Sequence, residues 1–274
     1  MIRETLRKWK RYPLYFERLV ECEAAARTMH ARRAILADPC YAERLVQYGH
    51  KVYSQNDEDG IIAEIFERIG TTSKRFLEIG VGNGSENNTL TLLLQGWSGG
   101  WIDASHRDAK EISEHFTGIL GERLKFVEDF VTVESIATLA SQAGGLDDLD
   151  LFSIDIDGNE YHILNVLDLQ ARVVVVEYNA KLRPPIDWVM PYKADYAPDG
   201  IYESGASLAA LERLMTARGY ALIGCNITGV NAFFVRREFA TAFPGPHTAQ
   251  HHYEPARYWM TPGFVSGYTA TPRL

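Results

Sequence analysis

Positive charge is in short supply. The chain carries 28 lysines and arginines against 36 aspartates and glutamates, a formal net charge of −8. A nucleic-acid partner, which demands a basic surface, is therefore not expected. Cysteine is scarce as well. Cys22, Cys40 and Cys225 stand far apart without CxxC spacing. That excludes a disulfide framework and a zinc knuckle, and it fits a reducing, cytoplasmic setting. No apolar run reaches the roughly 18 residues that mark a transmembrane segment. The N-terminus lacks the apolar core of a signal peptide. Internal repeats and low-complexity tracts are missing too. What remains is an ordinary globular composition, 46% hydrophobic and 23% charged over 274 residues. That length suits one large α/β domain with appendages, or two small domains.

Three regions differ in texture. Residues 1–50 read as a helical extension. Arg3, Arg7, Lys8, Lys10 and Arg11 make its start basic, with Ile2, Leu6 and Trp9 at helical spacing. This is a solvated helix with one packed face, or a surface for peripheral docking on a membrane or partner. Pro13 ends it, and helix formers dominate residues 15–36 up to Asp38-Pro39. Residues 51–240 read as the main domain. Ile61, Ile62, Ile65, Phe66 and Ile69 form an amphipathic stripe that Gly70 is placed to cap. Apolar strands follow over residues 76–79, 100–103, 124–127, 149–155 and 172–177. Helices are predicted between them over 89–94, 106–120, 133–143 and 161–167. These strands are continuously apolar, the pattern of a parallel sheet covered on both faces. A helix over 207–218 and two strands, 220–225 and 232–235, add a closing antiparallel hairpin. The expected fold is α/β, a seven-stranded and mostly parallel sheet with helices on both faces.

Residues 181–203 are punctuated by Pro184, Pro185, Pro191 and Pro198 and read as a functional loop. Tyr178, Lys181, Arg183, Trp188, Tyr192 and Tyr196 suit an acceptor pocket there, or equally a contact between copies in a homo-oligomer. The tail, residues 241–274, shows no period, and His251-His252 reads as an exposed pair.

The segment Glu78-Ile79-Gly80-Val81-Gly82-Asn83-Gly84 ends a strand and precedes a helix. Its G-x-G-x-G spacing brings the third glycine one residue early for the dinucleotide fingerprint, whose turn serves a pyrophosphate. S-adenosyl-L-methionine (SAM) has no phosphate. Its amino-acid end needs close backbone approach, from Gly80, Gly82 and Asn83, and an acid to balance its ammonium, for which Glu78 is placed. Asp103, beside Ala104, ends the second strand where a carboxylate holds ribose hydroxyls. Asp129 follows the third strand, positioned for an adenine amino group, with Phe130 against the ring.

Four stretches carry a family resemblance: Ser54-Gln55-Asn56-Asp57-Glu58-Asp59-Gly60-Ile61-Ile62, the glycine loop with its strand from Phe76, Gly96-Trp97-Ser98-Gly99, and Ser153-Ile154-Asp155-Ile156-Asp157-Gly158-Asn159-Glu160-Tyr161. Together they resemble the FkbM-type methyltransferases over roughly residues 50–240. The resemblance implies a Rossmann-like class I fold and SAM-dependent O-methylation of a sugar hydroxyl. The setting it implies is polysaccharide or natural-product biosynthesis. It also favours Gln55 as a polar contact to SAM. Transfer to a nitrogen, peptide or lipid acceptor, and a binding module without catalysis, are the competing readings.

Asp155 and Asp157 lie two apart after the fourth strand, and Glu177 ends the fifth. Strand ends of a doubly wound sheet open into one crevice, so these carboxylates crowd together. Crowded carboxylates raise one another's pKa or take a cation, and hard oxygens suit Mg²⁺ or Mn²⁺. Asp155 and Glu177 are catalytic candidates on that basis. His162, in the following helix, is the candidate base for a hydroxyl proton.

Overall fold

The computed structural model describes residues 19, 22, 23, 25–196 and 204–260. The basic stretch at residues 1–12, read above as a docking surface, lies outside them. So do residues 197–203 of the predicted loop and residues 261–274 of the tail.

Residues 25–36 form α1. Two 3₁₀ turns, Pro39–Tyr41 and Leu45–Tyr48, lead into α2 (Glu58–Ile69), whose Ile61, Ile62, Ile65 and Phe66 face the core. Then come β1 (Arg75–Ile79), α3 (Leu90–Leu94), β2 (Ser98–Asp103), α4 (His106–His115), β3 (Leu124–Glu128), α5 (Ile136–Gln142) and β4 (Leu151–Ile154). After these run α6 (Glu160–Val166), β5 (Val173–Glu177), α7 (Leu208–Ala217), β6 (Tyr220–Cys225), β7 (Asn231–Arg236) and α8 (Ala249–His252). The strands form one seven-stranded sheet in the order β3-β2-β1-β4-β5-β7-β6. β1 to β5 run parallel, and β7 is antiparallel to both its neighbours. The strand order reverses between β1 and β4, where open α/β sheets place their ligand crevice.

The valine run of β5 explains its central place. Val173 and Val175 pack with α2 and α3, while Val174 and Val176 pack with α5, α6 and α7. All four are fully buried. Side chains alternate between faces along a strand, so only a continuously apolar sequence fits a strand covered twice. Each such burial contributes on the order of 1.5–3 kcal/mol.

The predicted helices at 106–120 and 133–143 are shorter than expected. α4 stops at His115 because Gly118 and Gly121, the latter at φ +83°, cannot extend it. α5 starts at Ile136 because Thr132 and Ser135 exchange hydroxyl–amide bonds of 2.9 and 3.1 Å that hold a turn instead. The tail to residue 260 is packed, in segments too short to show a period. Glu254, fully buried, ion-pairs with Arg44 at 3.2 Å and Arg257 at 2.8 Å, and its carbonyl accepts the Tyr178 hydroxyl at 2.7 Å. His252 is buried as well, so His251-His252 is not an exposed pair.

Register sets the polar end of the sheet. Glu78 pairs with Trp101 and Ser153, and Glu177 pairs with Asn231. Asp155 prolongs β4, its N–H bonded to the Ile79 carbonyl at 3.0 Å. By alternation Glu78, Asp103, Ser153, Asp155, Glu177 and Asn231 share the face covered by α2 and α3. Gly80 makes this convergence possible. Its φ is +83°, and a Cβ there would stand 1.6 Å from the Asp155 carbonyl oxygen. Gly82, at φ +54°, has open space around the same position.

Gly80→Ala is expected to cost more than about 3 kcal/mol, from a left-handed backbone and an overlap with main-chain oxygen. Gly82→Ala, with backbone strain alone, is expected to cost about 1 kcal/mol. Urea unfolding of the two variants measures the difference, and equal losses would remove the close approach as the reason for Gly80.

Candidate active site

A cavity of about 710 Å³ opens at the carboxyl ends of β1, β2, β4 and β5. The glycine loop forms one side of it. Gly82 donates its N–H to Asp103 Oδ2 at 2.8 Å, and Ser105 donates to Oδ1 at 2.9 Å. These bonds fix the carboxylate while leaving each oxygen a further lone pair. Burial raises the pKa of Asp103. Ala104, Asp129 and Phe130 line the same wall, with Phe130 43% exposed. Gln55 reaches the cavity from the segment before α2.

Glu78 lines the cavity but is chiefly an internal anchor. It accepts from Asn88 N–H at 2.9 Å and from the Thr89 hydroxyl at 2.5 Å, while Thr89 accepts from the Trp101 indole at 2.8 Å. The carboxyl thus ties the loop after the glycines to β1. Burial is the main cause of a pKa pushed up to about 7. Asn83 does not line the cavity. Its amide nitrogen bonds Glu111 at 2.9 Å and its oxygen accepts from Ser85.

The acidic run before and into α2 is internally matched. Asp57 pairs with Arg32 at 2.6 Å. Asp59 Oδ2 accepts the N–H groups of Val52, Tyr53 and Ser54 at 2.7–2.8 Å. Glu58 Oε1 accepts the side-chain amides of Asn226 at 2.7 Å and Asn231 at 3.1 Å. Of residues 54–59 only Gln55 lines the cavity.

The far end of the cavity is different. Asp155, Asp157 and Glu177 each offer a carboxylate oxygen within 4.8 Å of the others. Burial first, then the Glu160 and Asp157 charges, push Asp155 up to about 8. Burial and Asp155 hold Glu177 well above its ordinary value. The Asp155 and Glu177 carboxyls lie close together, so the charge of one disfavours ionisation of the other. Asp157 holds a left-handed backbone at φ +61°, with Gly158 beneath the Tyr196 ring. Two buried amide oxygens, of Asn159 and Asn231, have no hydrogen-bond partner although both residues line the cavity.

In all, seven acids line the cavity: Glu78, Glu86, Asp103, Asp129, Asp155, Asp157 and Glu177. No lysine, arginine or histidine lines it among the described residues. Lys51 reaches Glu86 at 3.1 Å from outside the lining. An acidic cavity without internal cations fits a positively charged ligand, and SAM carries both a sulfonium and an ammonium.

His162 is placed elsewhere. Its Nε2 lies 2.7 Å from the Met190 carbonyl and its ring stands beside Tyr192. Of the six side chains assigned to an acceptor pocket, Tyr196 lines the main cavity and Lys181 and Tyr178 a small side pocket. Tyr192 bonds Glu134 at 2.9 Å, and Arg183 stacks on Tyr253. Sequence reasoning missed Tyr258, which lines both pockets, together with Asn159, Asn231 and Glu86. The exposed aromatics near the end of the tail were the available signal for Tyr258. The pairing of β7 with β5, which places Asn231, leaves no local mark.

This sheet order, with its antiparallel β7 and a glycine loop at the switch point, defines a Rossmann-like class I methyltransferase. The chain belongs to the methyltransferase FkbM domain family, whose model matches residues 33–222. It is a SAM-dependent methyltransferase. Among solved structures it is similar to the cofactor-bound protein Rv0187 from MTB, at 17% identity and TM-score 0.42, over 78% of this chain and 90% of that one. It is similar too to the methyltransferase PaMTH1 of Podospora anserina, bound to S-adenosylhomocysteine (SAH). That likeness has 13% identity and TM-score 0.40 over 78% of this chain and 87% of that one. No curated protein matches the chain.

Glu78 makes stability depend on pH. A folded pKa near 7, against 4.5 unfolded, favours the fold most below pH 4.5, and the advantage is lost as pH rises to 7. The span is worth about 3 kcal/mol at most. Glu78→Gln is expected to flatten the fall in thermal midpoint between pH 5 and 7 in ligand-free protein. An unchanged slope would assign the dependence to other groups.

Proposed function

We propose that the protein methylates a hydroxyl of a sugar, or of a glycan or natural-product precursor, with a divalent ion at the acceptor end of its cavity. The observation that supports this is the cluster of Asp155, Asp157 and Glu177, three carboxylates in a cavity that no basic side chain lines among the described residues. Acids so placed are neutralised by protons or by a cation. Their oxygens are hard donors of the kind Mg²⁺ and Mn²⁺ take. The free, widely separated cysteines suit a cytoplasmic enzyme. No helix among the described residues is long and apolar enough to cross a membrane.

In this reading Gly80 and Gly82 let the amino-acid end of SAM lie against backbone, and Asp103 receives its ribose hydroxyls. Asp129 and Phe130 hold the adenine, and Gln55 covers the cofactor. Asp155, Asp157 and Glu177 would hold the ion, which when bound lowers the pKa of an acceptor hydroxyl and fixes its direction. The remaining task is alignment, because the methyl sulfonium is already activated. The new O–CH₃ bond forms as the S–CH₃ bond breaks. The electron pair stays on sulfur to give SAH, and the hydroxyl proton passes to a carboxylate of the cluster. His162, turned to the Met190 carbonyl, has no part in this step. Tyr196 and Tyr258 stand at the acceptor end, where aromatic faces stack on sugar rings.

Calorimetric titration with SAH is expected to give one site, weakened tenfold or more in Asp103→Ala. Transfer of labelled methyl from SAM to a panel of glycan hydroxyls should require Mg²⁺ or Mn²⁺ and fall at least a hundredfold in Asp155→Ala. Full turnover in EDTA with an active Asp155→Ala variant would overturn the metal-assisted reading.

A further inference from the structure

The three carboxylates do not account for every oxygen gathered at that end of the cavity. Asn231 is the first residue of β7 and the direct partner of Glu177 across the antiparallel pair. Directly opposite residues share a face, with Cβ atoms about 4.5–5.5 Å apart. Asn231 is 2% exposed, so its amide cannot turn to bulk water. Its Nδ2 donates to Glu58 Oε1 at 3.1 Å. That same oxygen accepts from Asn226 at 2.7 Å and Asn56 at 3.2 Å. Glu58 therefore works as an acceptor, and it takes the nitrogen end of the Asn231 amide. The oxygen end is left without a partner, in a residue that lines the cavity and pairs with Glu177.

A buried amide oxygen with no donor costs roughly 1–3 kcal/mol. The carboxylates that line this end of the cavity offer it nothing when ionised. A cation satisfies it. We infer that Asn231 supplies a neutral oxygen ligand to the divalent ion, alongside Asp155, Asp157 and Glu177, with Glu58 fixing the amide so that its oxygen faces the ion. Three carboxylates and one amide oxygen make a hard, all-oxygen donor set with room for acceptor hydroxyls or water. Asn159 carries a second unpartnered oxygen, its Nδ2 held by the Lys193 carbonyl at 2.8 Å. It precedes α6, however, and has no strand register that sets it opposite a carboxylate of the cluster. Asn231 lies beyond the stretch that the family model matches, on the second strand of the C-terminal hairpin.

The inference rests on the metal reading, and one experiment separates the two. Mn²⁺ alone is titrated into the full-length protein, with free Mn²⁺ followed by electron paramagnetic resonance. Wild type, Asn231→Ala and Asn231→Leu are compared, each with a thermal melt and an SAH titration without ion. Wild type is expected to take up one Mn²⁺. Asn231→Ala is expected to bind it about tenfold to a hundredfold more weakly, with SAH affinity unchanged. If wild type takes up no Mn²⁺, the metal reading falls and this inference with it. If wild type and Asn231→Ala bind alike, the metal reading stands and Asn231 is not a ligand. Should Asn231→Ala lose its thermal transition, the comparison passes to Asn231→Leu, which keeps the side-chain volume without the oxygen. Wild-type affinity in that variant likewise overturns the inference.

Discussion

Negative charge is gathered where parallel strands end, and each carboxylate must be met by something. The protein meets its acids in two ways. Around α2 the answer is internal: Asp57 has Arg32, Asp59 has three backbone N–H groups, and Glu58 has asparagine amides. These residues staple the N-terminal segment to the domain. In the cavity the answer is withheld, because no basic side chain lines it among the described residues. Burying charge without a partner is costly enough that groups take up protons instead. Burial raises the pKa of Asp103, Asp155 and Glu177 in this way. In the proposed function a cationic cofactor would relieve one end of the cavity and a divalent ion the other.

The backbone makes this concentration of charge possible. Gly80 lets the end of β1 touch the end of β4, which draws the cofactor loop and the Asp155 carboxylate into one cavity. Glu78 then serves less as a counter-charge than as the peg that holds the loop after the glycines. Its bonds to Asn88 and Thr89, and the link from Thr89 to Trp101, join three elements on one sheet face.

Much of this was legible in the sequence, for identifiable reasons. Continuous valine and isoleucine marked doubly covered strands, glycines marked the tight loop, and acids just past strand ends marked the crevice. All three signals are local. Asn231 was invisible because its role comes from antiparallel pairing with a strand more than fifty residues earlier. Tyr258 was marked only by the aromatics of the tail, because the tail is built of single turns whose packing depends on Glu254 meeting Arg44 and Arg257. His162 and Asn83 misled for the same reason. Each sits beside the right motif, but helix phase turns His162 toward Met190 and a local turn hands Asn83 to Glu111. The cofactor end, set by local motifs, falls within the span matched by the family. Asn231 and Tyr258 lie past it.

The account stands or falls on what occupies the two ends of one cavity. Crystals grown with SAH and Mn²⁺, measured at the manganese absorption edge, show this directly. The account predicts SAH against Gly80 and Gly82 with its ribose on Asp103, and one anomalous peak among Asp155, Asp157 and Glu177. SAH bound elsewhere, or an ordered carboxylate cluster with no anomalous peak beside bound SAH, would contradict it.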